Sequence, residues 1–291
     1  MQVRAAPAGC DARPVTDPAP AAPPDATPPD AAVLLAAYDA ALRDQAEVVS
    51  AETWERHGPL IWSRFVSGRG FVTYRDLLGW TDRLPELVAD TVAHYAADPG
   101  CGSFEWKTRG HDHAPGLADV LTGAGLVAEQ TEAVMIGRAE DLAVDVPLPK
   151  GVSLRRIESE RDVRAMVAMQ DEVFGDMEDG HADELLHRLS LGRGDMELYV
   201  AEADGVMVCA GRLEPVLGTD VAGVWGGATL PAWRGRGIYR ALTAERARSA
   251  VRHGKTLVHS DSTPDSRPIL QRSGFVQVTT TTPFVWRRVS G

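Results

Sequence analysis

The chain has 291 residues, of which 44% are hydrophobic, and its formal net charge at pH 7 is -11. At roughly 100 to 200 residues per domain, this length predicts two domains with a sizeable core. The acidic balance argues against a nucleic-acid or anionic-membrane binder, which would present an excess of basic surface. It is compatible with cationic partners such as amines.

Cysteine usage and hydropathy bear on the compartment. The three cysteines, Cys10, Cys101 and Cys209, are far apart and lack the pair spacing of a zinc site. Neither a disulfide framework nor a metal centre is therefore predicted. The apolar run AAVLLAAY is shorter than the ~18 residues of a spanning helix and lies too late for a signal peptide. We expect a cytoplasmic protein that binds no membrane and no metal.

The first 30 residues differ in composition from the rest of the chain. They contain eight of the nineteen prolines and no aromatic residue, so they cannot bury enough apolar area to offset the loss of chain entropy. We predict a disordered Pro/Ala-rich tail over residues 1–30. A second change in composition, AEDLAVDVPLPKG (139–151), predicts a linker between an N-terminal domain (31–138) and a C-terminal domain (152–291).

A short stretch of the N-terminal half resembles a stretch near the other end of the chain. Residues 117–136 align without gaps over residues 266–285, which pairs Gly125 with Gly274. We interpret the match as an internal duplication, although an ordinary helix-glycine-strand pattern is the alternative. No glycine-arginine loop introduces TDRLPELVADTVAHYA, the helix pattern that comes before it.

The C-terminal half alternates strand and helix patterns. VSLRRIE predicts a strand, and Ser159 with Asp162 forms a capping box that starts a helix over residues 160–174. A short helix (ADELLHRLS) and two strands about the Asp204–Gly205 turn follow. The strand AGVWGGATL, a long helix, the strand TLVHSD, the helix SRPILQRSGF and the strand VQVTTTTPFVW come next. This succession predicts a mixed α/β layered domain.

The stretch LPAWRGRGIYRAL (230–242) joins a predicted strand to a predicted helix. Gly235 and Gly237 leave backbone N–H groups unobstructed, and the helix that begins near Ile238 adds the positive end of its dipole. This arrangement suits a phosphate or pyrophosphate. The turn has neither the Gly-Lys-Ser/Thr ending of a Walker loop nor the Gly-x-Gly-x-x-Gly spacing of a dinucleotide site.

These residues resemble the acetyl-CoA loop of the GNAT superfamily of N-acetyltransferases, whose signature is Gln/Arg-x-x-Gly-x-Gly/Ala. Arg234 and Gly237 match, whereas Tyr239 stands where glycine or alanine is usual. The order of strands and helices from 152 to 288 also follows the family, so the resemblance covers about half of the chain. It implies an α/β (α+β) fold with a GNAT-like mixed sheet flanked by helices. With the duplication, it implies a tandem protein whose second unit is complete and whose first is degenerate.

The resemblance implies acetyl-CoA as co-substrate. In the family the pantetheine arm pairs with the strand before the loop, and the loop receives the pyrophosphate. The implied contacts are Gly227, Ala228, Thr229 and Leu230 on the strand, and Arg234, Gly235, Arg236, Gly237, Ile238 and Tyr239 in the loop. We expect one acetyl-CoA per chain. At the corresponding helix start of the N-terminal half, Asp82 and Glu86 repel a phosphate and Pro85 removes a backbone donor.

Direct acetyl transfer needs a base for the amine and benefits from an acid for the departing thiolate. The family's usual acid, a tyrosine, is replaced by Leu270. Tyr239 is a substitute, with a purely packed tyrosine as the alternative. The candidates for the base are Glu214, Asp220, His259 and Asp261. Among them His259 is expected to titrate in the useful range, and Glu214 lies near the start of the cofactor strand.

The residues and the resemblance together predict an N-acetyltransferase that moves the acetyl group of acetyl-CoA to a primary amine of a small molecule, by direct attack in a ternary complex. Acidic residues between the first two helices of the C-terminal half lie where relatives build the acceptor wall: Asp171, Glu172, Asp176, Glu178 and Asp179. Three alternatives stay open. They are a catalytically inactive acetyl-CoA-binding regulator, a protein-directed acetyltransferase, and an enzyme similar to mycothiol synthase in its tandem layout. A homodimer also stays open.

Overall fold

The computed structural model describes residues 30–175 and 180–288. The predicted tail, apart from Asp30, and the acidic residues Asp176, Glu178 and Asp179 lie outside the described residues. The N-terminal half contains α1 (Ala31–Ala41), β1 (Thr53–His57), β2 (Leu60–Arg64), β3 (Gly70–Tyr74), α2 (Leu84–Ala97), β4 (Ser103–Arg109), α3 (Leu117–Gly123), β5 (Val127–Ala128) and β6 (Glu132–Arg138).

The C-terminal half contains α4 (Ala139–Leu142), β7 (Val152–Ile157), α5 (Glu160–Phe174), α6 (His181–Ser190), β8 (Glu197–Ala203), β9 (Val206–Pro215), β10 (Val221–Thr229), α7 (Ile238–Arg252), β11 (Leu257–Ser262), α8 (Arg267–Arg272) and β12 (Val276–Arg287). Short 3-10 helices cover Asp44–Glu47, Thr81–Arg83 and Pro231–Trp233. Among the described residues, no helix combines the length and the apolar character needed to cross a membrane.

The local signals of the C-terminal half produce the predicted elements. The Asp162 N–H donates to Ser159 Oγ at 3.2 Å and caps α5. Asp204 and Gly205 have φ angles of 50° and 78°, which fits the tight turn between β8 and β9. The segment predicted as a linker begins with α4. Ala139 and Leu142 of this helix are buried in a hydrophobic cluster that includes Leu242 of α7.

The strands form one mixed sheet with the order β1-β2-β3-β4-β12-β6-β11-β10-β9-β8-β7, and β5 pairs with β12. In this sheet, the last long strand of each half lies beside strands of the other half. β6 of the N-terminal half pairs with β11, and β12 of the C-terminal half pairs with β4. β6 and β12 also pair with each other, antiparallel. The halves therefore share a sheet rather than meeting as two separate sheets.

Each half contains the same succession of connections. β3 and β4 are parallel and are joined through α2, and β10 and β11 are parallel and are joined through α7. An antiparallel pair precedes each of these parallel units, β1 with β2 in one half and β8 with β9 in the other. A short helix and the exchanged strand follow each unit, α3 and β6 in one half and α8 and β12 in the other. An internal duplication predicts this correspondence.

Alternating side chains assign the helices to two faces of the sheet. Tyr199 and Ala201 of β8 are buried with α7, whereas Leu198 and Val200 are buried with α5 and α6. α1 buries Tyr38 on the same side as α5, against β6 and β11. We call these sides the α7 face and the α5 face.

Candidate functional site

Strands β10 and β11 separate part of the way along their length. They pair only where Val221–Gly223 lies beside Leu257–His259, although β10 continues to Thr229 and β11 to Ser262. The pairing of β10 with β9 is also interrupted by a bulge between Trp225 and Ala228. The result is a wedge, bounded by residues 224–229 of β10 and 260–262 of β11. Its unpaired backbone can bind an extended ligand.

At two positions in the bulge, neighbouring side chains leave no room for a Cβ, so glycine is required. Gly226 has a φ of 59°, and a Cβ there would lie 2.9 Å from Gln170 Nε2. Gln170 of α5 donates this amide to the Gly226 carbonyl at 2.6 Å. A Cβ on Gly227 would lie 2.5 Å from the Tyr239 ring. The side chains of α5 and α7 thus hold the bulge from opposite faces.

The predicted phosphate turn lies at the end of β10, next to the wedge. Gly235 and Gly237 have φ angles of 74° and 78°, and a Cβ on either would meet no protein atom within 4 Å. Gly237 caps α7, and its carbonyl accepts from the Ala241 N–H at 3.0 Å. Since the earlier amides of a helix lack an intrahelical acceptor, the turn is an open anion site at a positive helix end.

Two arginines flank this turn in different ways. Arg234 donates its Nε to the Thr229 carbonyl at 3.1 Å, which anchors the guanidinium at the end of β10. The Arg236 guanidinium lies 4.7 Å from the centre of the Trp233 ring. Both arginines are exposed. They are therefore placed to add positive charge to the turn.

Tyr239 and Leu270 lie on the α7 face. Leu270 is buried in the core with 1% of its surface exposed. Its hydrocarbon side chain has no proton to transfer. Tyr239 is half-buried, its ring packs against Gly227, and the Arg246 guanidinium lies 5.8 Å from the ring centre. This packing explains the tyrosine at a position where the family usually has glycine or alanine.

Arg246 is a buried cation behind the bulge, with 1% of its surface exposed. It donates to the carbonyls of Arg212 and Trp225 at 3.3 and 3.5 Å and to Thr243 Oγ1 at 3.2 Å. Within the described part of the chain, no carboxylate pairs with it. Arg246 therefore holds the backbone of β9 and β10 where their pairing is interrupted.

His259 and Glu214, the two predicted bases, flank Gly223 on the α5 face. Gly223 pairs with Glu214 on one side and with His259 on the other. A Cβ on Gly223 would collide with the Trp225 indole, whose ring stands edge-on to His259 at 4.9 Å between centroids. The structure thus brings both predicted bases and one tryptophan to the closed end of the wedge.

The protonation state of His259 differs from the sequence-based expectation. Burial lowers the pKa of His259 to about 4, against the opposing effect of Asp261, so the expectation that it titrates near neutrality is wrong. Burial disfavours ionisation of Glu214, but Arg212 and Arg188 outweigh it and hold its pKa below the usual value. At neutral pH His259 is uncharged and Glu214 is ionised.

The other predicted acids have separate positions. The Asp220 carbonyl accepts from the Thr256 and Leu257 amides at 2.9 and 3.1 Å, so Asp220 lies at the paired end of β10, away from the wedge. Asp171 and Glu172 are exposed near the end of α5. Asp261 faces the α5 side two residues beyond His259, at the edge of the wedge.

The N-terminal half contributes residues to this face that the sequence analysis did not single out. Lys107 of β4 donates to Asp261 Oδ2 at 2.7 Å and lies 3.4 Å from Glu47 Oε1. Arg109 pairs with Glu47 as well. The alternation in SFEWKTR, with Phe104 and Trp106 buried on the other face, was the available signal for a polar strand face.

The strand-to-helix turn of the N-terminal half has different chemistry. The Trp80 ring of this turn packs against the β1–β2 turn, because a Cβ on Gly58 would lie 2.9 Å from it. The Arg83 guanidinium lies 4.6 Å from the centre of the same ring and pairs with Glu86 at 2.8 Å. No group of three or more His, Cys, Asp or Glu residues in 30–175 and 180–288 is arranged to hold a metal ion.

The sequence matches no protein-family model and no curated protein. Solved structures are nevertheless similar in fold. A GCN5-related N-acetyltransferase from Kribbella flavida has 20% identity and a TM-score of 0.62, over 89% of this chain and 96% of that one. One from Sphaerobacter thermophilus has 16% identity and a TM-score of 0.55, over 80% and 78%.

A tandem protein is among the similar structures. The tandem GNAT protein from the clavulanic acid biosynthesis pathway has 15% identity and a TM-score of 0.55, over 81% of this chain and 82% of that one. The chain therefore has the GNAT fold, as the resemblance implied, and the fold is similar to that of a tandem protein. The similarity extends over both halves of the chain and is not restricted to residues 152–288.

Proposed function

We propose that the protein is an acetyl-CoA-dependent N-acetyltransferase whose acceptor is a primary amine of a small molecule. The observation that carries the proposal is the opening of the wedge between β10 and β11 directly beside the glycine turn. The turn offers an anion site for the pyrophosphate, and the wedge offers unpaired strand backbone for the pantetheine arm. One extended co-substrate can occupy both.

The residues on the two faces of the wedge suit the attack of the amine on one face and the departure of the sulfur on the other. His259 and Glu214 are on the α5 face, whereas Tyr239 is on the α7 face. An amine that attacks from the α5 face forms a C–N bond with the acetyl carbon. The C–S bond breaks as the sulfur departs toward the α7 face, and the sulfur takes up one proton while the amine nitrogen loses one.

The residue roles follow from their charge states. Ionised Glu214 and uncharged His259 both present lone pairs to the N–H groups of an amine, so we assign to them its orientation and the acceptance of its proton. Their low pKa values make them weak bases. Amines that are already neutral at the working pH should therefore react faster. A thiol with a pKa of ~8.5 is a tolerable leaving group even without a dedicated acid.

A second candidate function is an acetyl-CoA-binding regulator without turnover. One observation favours it: Leu270 is a core residue where the family usually has its acid, and Tyr239 packs against the bulge. Such a protein would bind the co-substrate at the same turn and wedge but release no acetylated product.

Two measurements on the full chain separate these functions. Calorimetric titration with acetyl-CoA is expected to give one site per chain, because the N-terminal turn pairs its arginine with Glu86 and has a proline in the first turn of its helix. Incubation with acetyl-CoA and a panel of primary amines, followed by mass spectrometry, is expected to yield products heavier by one acetyl group. Binding without any product would favour the regulator, and no binding would remove both functions.

A further inference from the structure

Two buried polar atoms on the α5 face of β11 lack hydrogen-bond partners among the described residues. They are His259 Nδ1 and Asp261 Oδ1. His259 is 6% exposed, and the Asp261 side chain is also 6% exposed. Buried polar atoms are nearly always paired, because leaving one unpaired is costly. Asp261 Oδ1 is an acceptor without a donor, because its neighbours hold the pKa of Asp261 below the usual value. His259 Nδ1 has no partner in either tautomer of the uncharged ring.

The position of Asp261 makes its free oxygen available to a ligand. β11 no longer pairs with β10 beyond His259, so one side of Asp261 borders the open wedge. On the other side, Asp261 Oδ2 accepts from Lys107 at 2.7 Å. Lys107 is shared with Glu47, which leaves Asp261 only partly neutralised.

Glu132 lies beside Asp261 on the neighbouring strand β6. Asp261 is opposite Val134, and Glu132 is two residues further along β6, on the same face. It is half-buried, and no hydrogen bond or ion pair reaches it from residues 30–175 or 180–288. Burial, followed by the negative charge of Asp261, raises its pKa to about 7. Glu132 is thus a carboxylate held near other carboxylates without a counter-charge.

The other carboxylates that act on Glu132, and Glu47 beside them, each pair with a cation. Glu105 pairs with Arg69, Glu47 with Arg109, Asp261 with Lys107, and Glu129 with Arg287. With Glu132 there are five carboxylates against four cations. One further positive charge would complete the balance.

We propose that Asp261 and Glu132 bind a second, distal cationic group of the acceptor, so that the substrate class is small diamines or similarly dicationic amines. The inference rests on the proposed acetyltransferase function. The reactive nitrogen would lie near uncharged His259, where it can lose its proton, while the distal ammonium remains charged against the two carboxylates. Two strand residues span about 7 Å, which is close to the extended length of 1,4-diaminobutane.

The first test measures binding, so that it does not depend on turnover. Calorimetry with the CoA-saturated full chain compares 1,4-diaminobutane with 1-aminobutane, which has the same carbon chain and one nitrogen. We expect the diamine to bind at least tenfold more tightly. In Glu132→Gln this preference should fall by about tenfold, since a charged interaction is lost. Asp261→Asn should reduce it too.

Glu129→Gln is the matched control, because Glu129 is a nearby exposed glutamate that pairs with Arg287 at 2.8 Å. It should retain the preference for the diamine. Equal binding of diamine and monoamine, or an unchanged preference in Glu132→Gln, would overturn the inference. Circular dichroism and the affinity for acetyl-CoA verify that the variants are folded.

Kinetics with the same amines separate this inference from the proposed function. A preference for the diamine in kcat/KM that Glu132→Gln reduces would support both. Acetylation of both amines at equal rates would retain the function and refute the diamine class. Selective binding of the diamine without acetylated product would support the subsite and refute the acetyltransferase function.

Discussion

The two halves of the molecule have corresponding turns with opposite surroundings. Each turn follows the first strand of a parallel pair and precedes the crossover helix. In the C-terminal half, Gly235 and Gly237 leave the start of α7 open, and two arginines flank it. In the N-terminal half, the Arg83 guanidinium lies over the Trp80 ring, and Pro85 and Glu86 occupy the first turn of α2.

This difference shows which part of the fold makes an anion site. The parallel pair and the crossover helix are present in both halves, so topology alone is not sufficient. What differs is how many backbone N–H donors the first turn of the helix offers and which charges surround them. The exposed Arg83 guanidinium of the N-terminal turn pairs with Glu86, whereas no carboxylate among the described residues pairs with Arg234 or Arg236. We therefore expect no second co-substrate site in the N-terminal half.

The largest expected effect comes from substituting one glycine in each turn. Gly237→Val should reduce the affinity for acetyl-CoA about a hundredfold or more, because a branched side chain would occupy the anion site and disfavour the positive φ. Gly79→Val is the matched control, with a φ of 77° against 78° and similarly open surroundings. Each change should destabilise the fold by about 1–3 kcal/mol.

Calorimetry and thermal unfolding distinguish the two effects of these substitutions. The comparison predicts similar losses of stability but a loss of affinity in Gly237→Val alone. If both variants bound acetyl-CoA as the parent does, with the fold intact, the glycine turn would not be the phosphate site. A weaker affinity in Gly79→Val would indicate that the N-terminal turn takes part in binding.

A smaller effect is expected from the arginines. Arg234→Ala and Arg236→Ala should each weaken acetyl-CoA binding by about 1 to 3 kcal/mol, the usual contribution of charged hydrogen bonds. Arg83→Ala in the N-terminal turn should have no effect on this affinity, since Arg83 pairs with Glu86. Lost activity with unaltered co-substrate affinity in the Arg234 or Arg236 variant would contradict the assignment.

The smallest expected effect is that of Tyr239→Phe. Because the ring packs against Gly227, removal of the hydroxyl should lower kcat by less than about tenfold and leave the affinity for acetyl-CoA nearly intact. Steady-state kinetics with a reactive amine from the panel give both values. A hundredfold lower kcat would instead make Tyr239 the acid that protonates the departing sulfur.

Local signals in the sequence predicted much of this structure. The capping box at Ser159 fixed the start of α5, Asp204–Gly205 placed a hairpin, and Gly237 capped α7. In each case the residues that determine the conformation are neighbours in the chain. The glycine turn also predicted the GNAT fold, because its pattern depends on backbone geometry within a few residues.

The rest depends on contacts that the sequence does not encode locally. The ion pair of Lys107 and Asp261 joins residues 154 positions apart. His259 was expected to titrate near neutrality because its type is visible in the sequence, whereas its burial beside Tyr38 and Trp225 is not. Likewise, β6 and β12 have ordinary strand patterns. Such a pattern predicts a strand but not the strands with which it pairs.

The exchange of β6 and β12 has a consequence for the order in which the chain can fold during synthesis. β6 has only β11 and β12 as neighbours in the sheet, and both leave the ribosome more than a hundred residues after it. Until then β6 has no strand partners, and β4 presents an unpaired edge of the kind that promotes aggregation. The N-terminal half therefore cannot complete its sheet before β11 and β12 have been synthesised, and its closure is coupled to the arrival of β12.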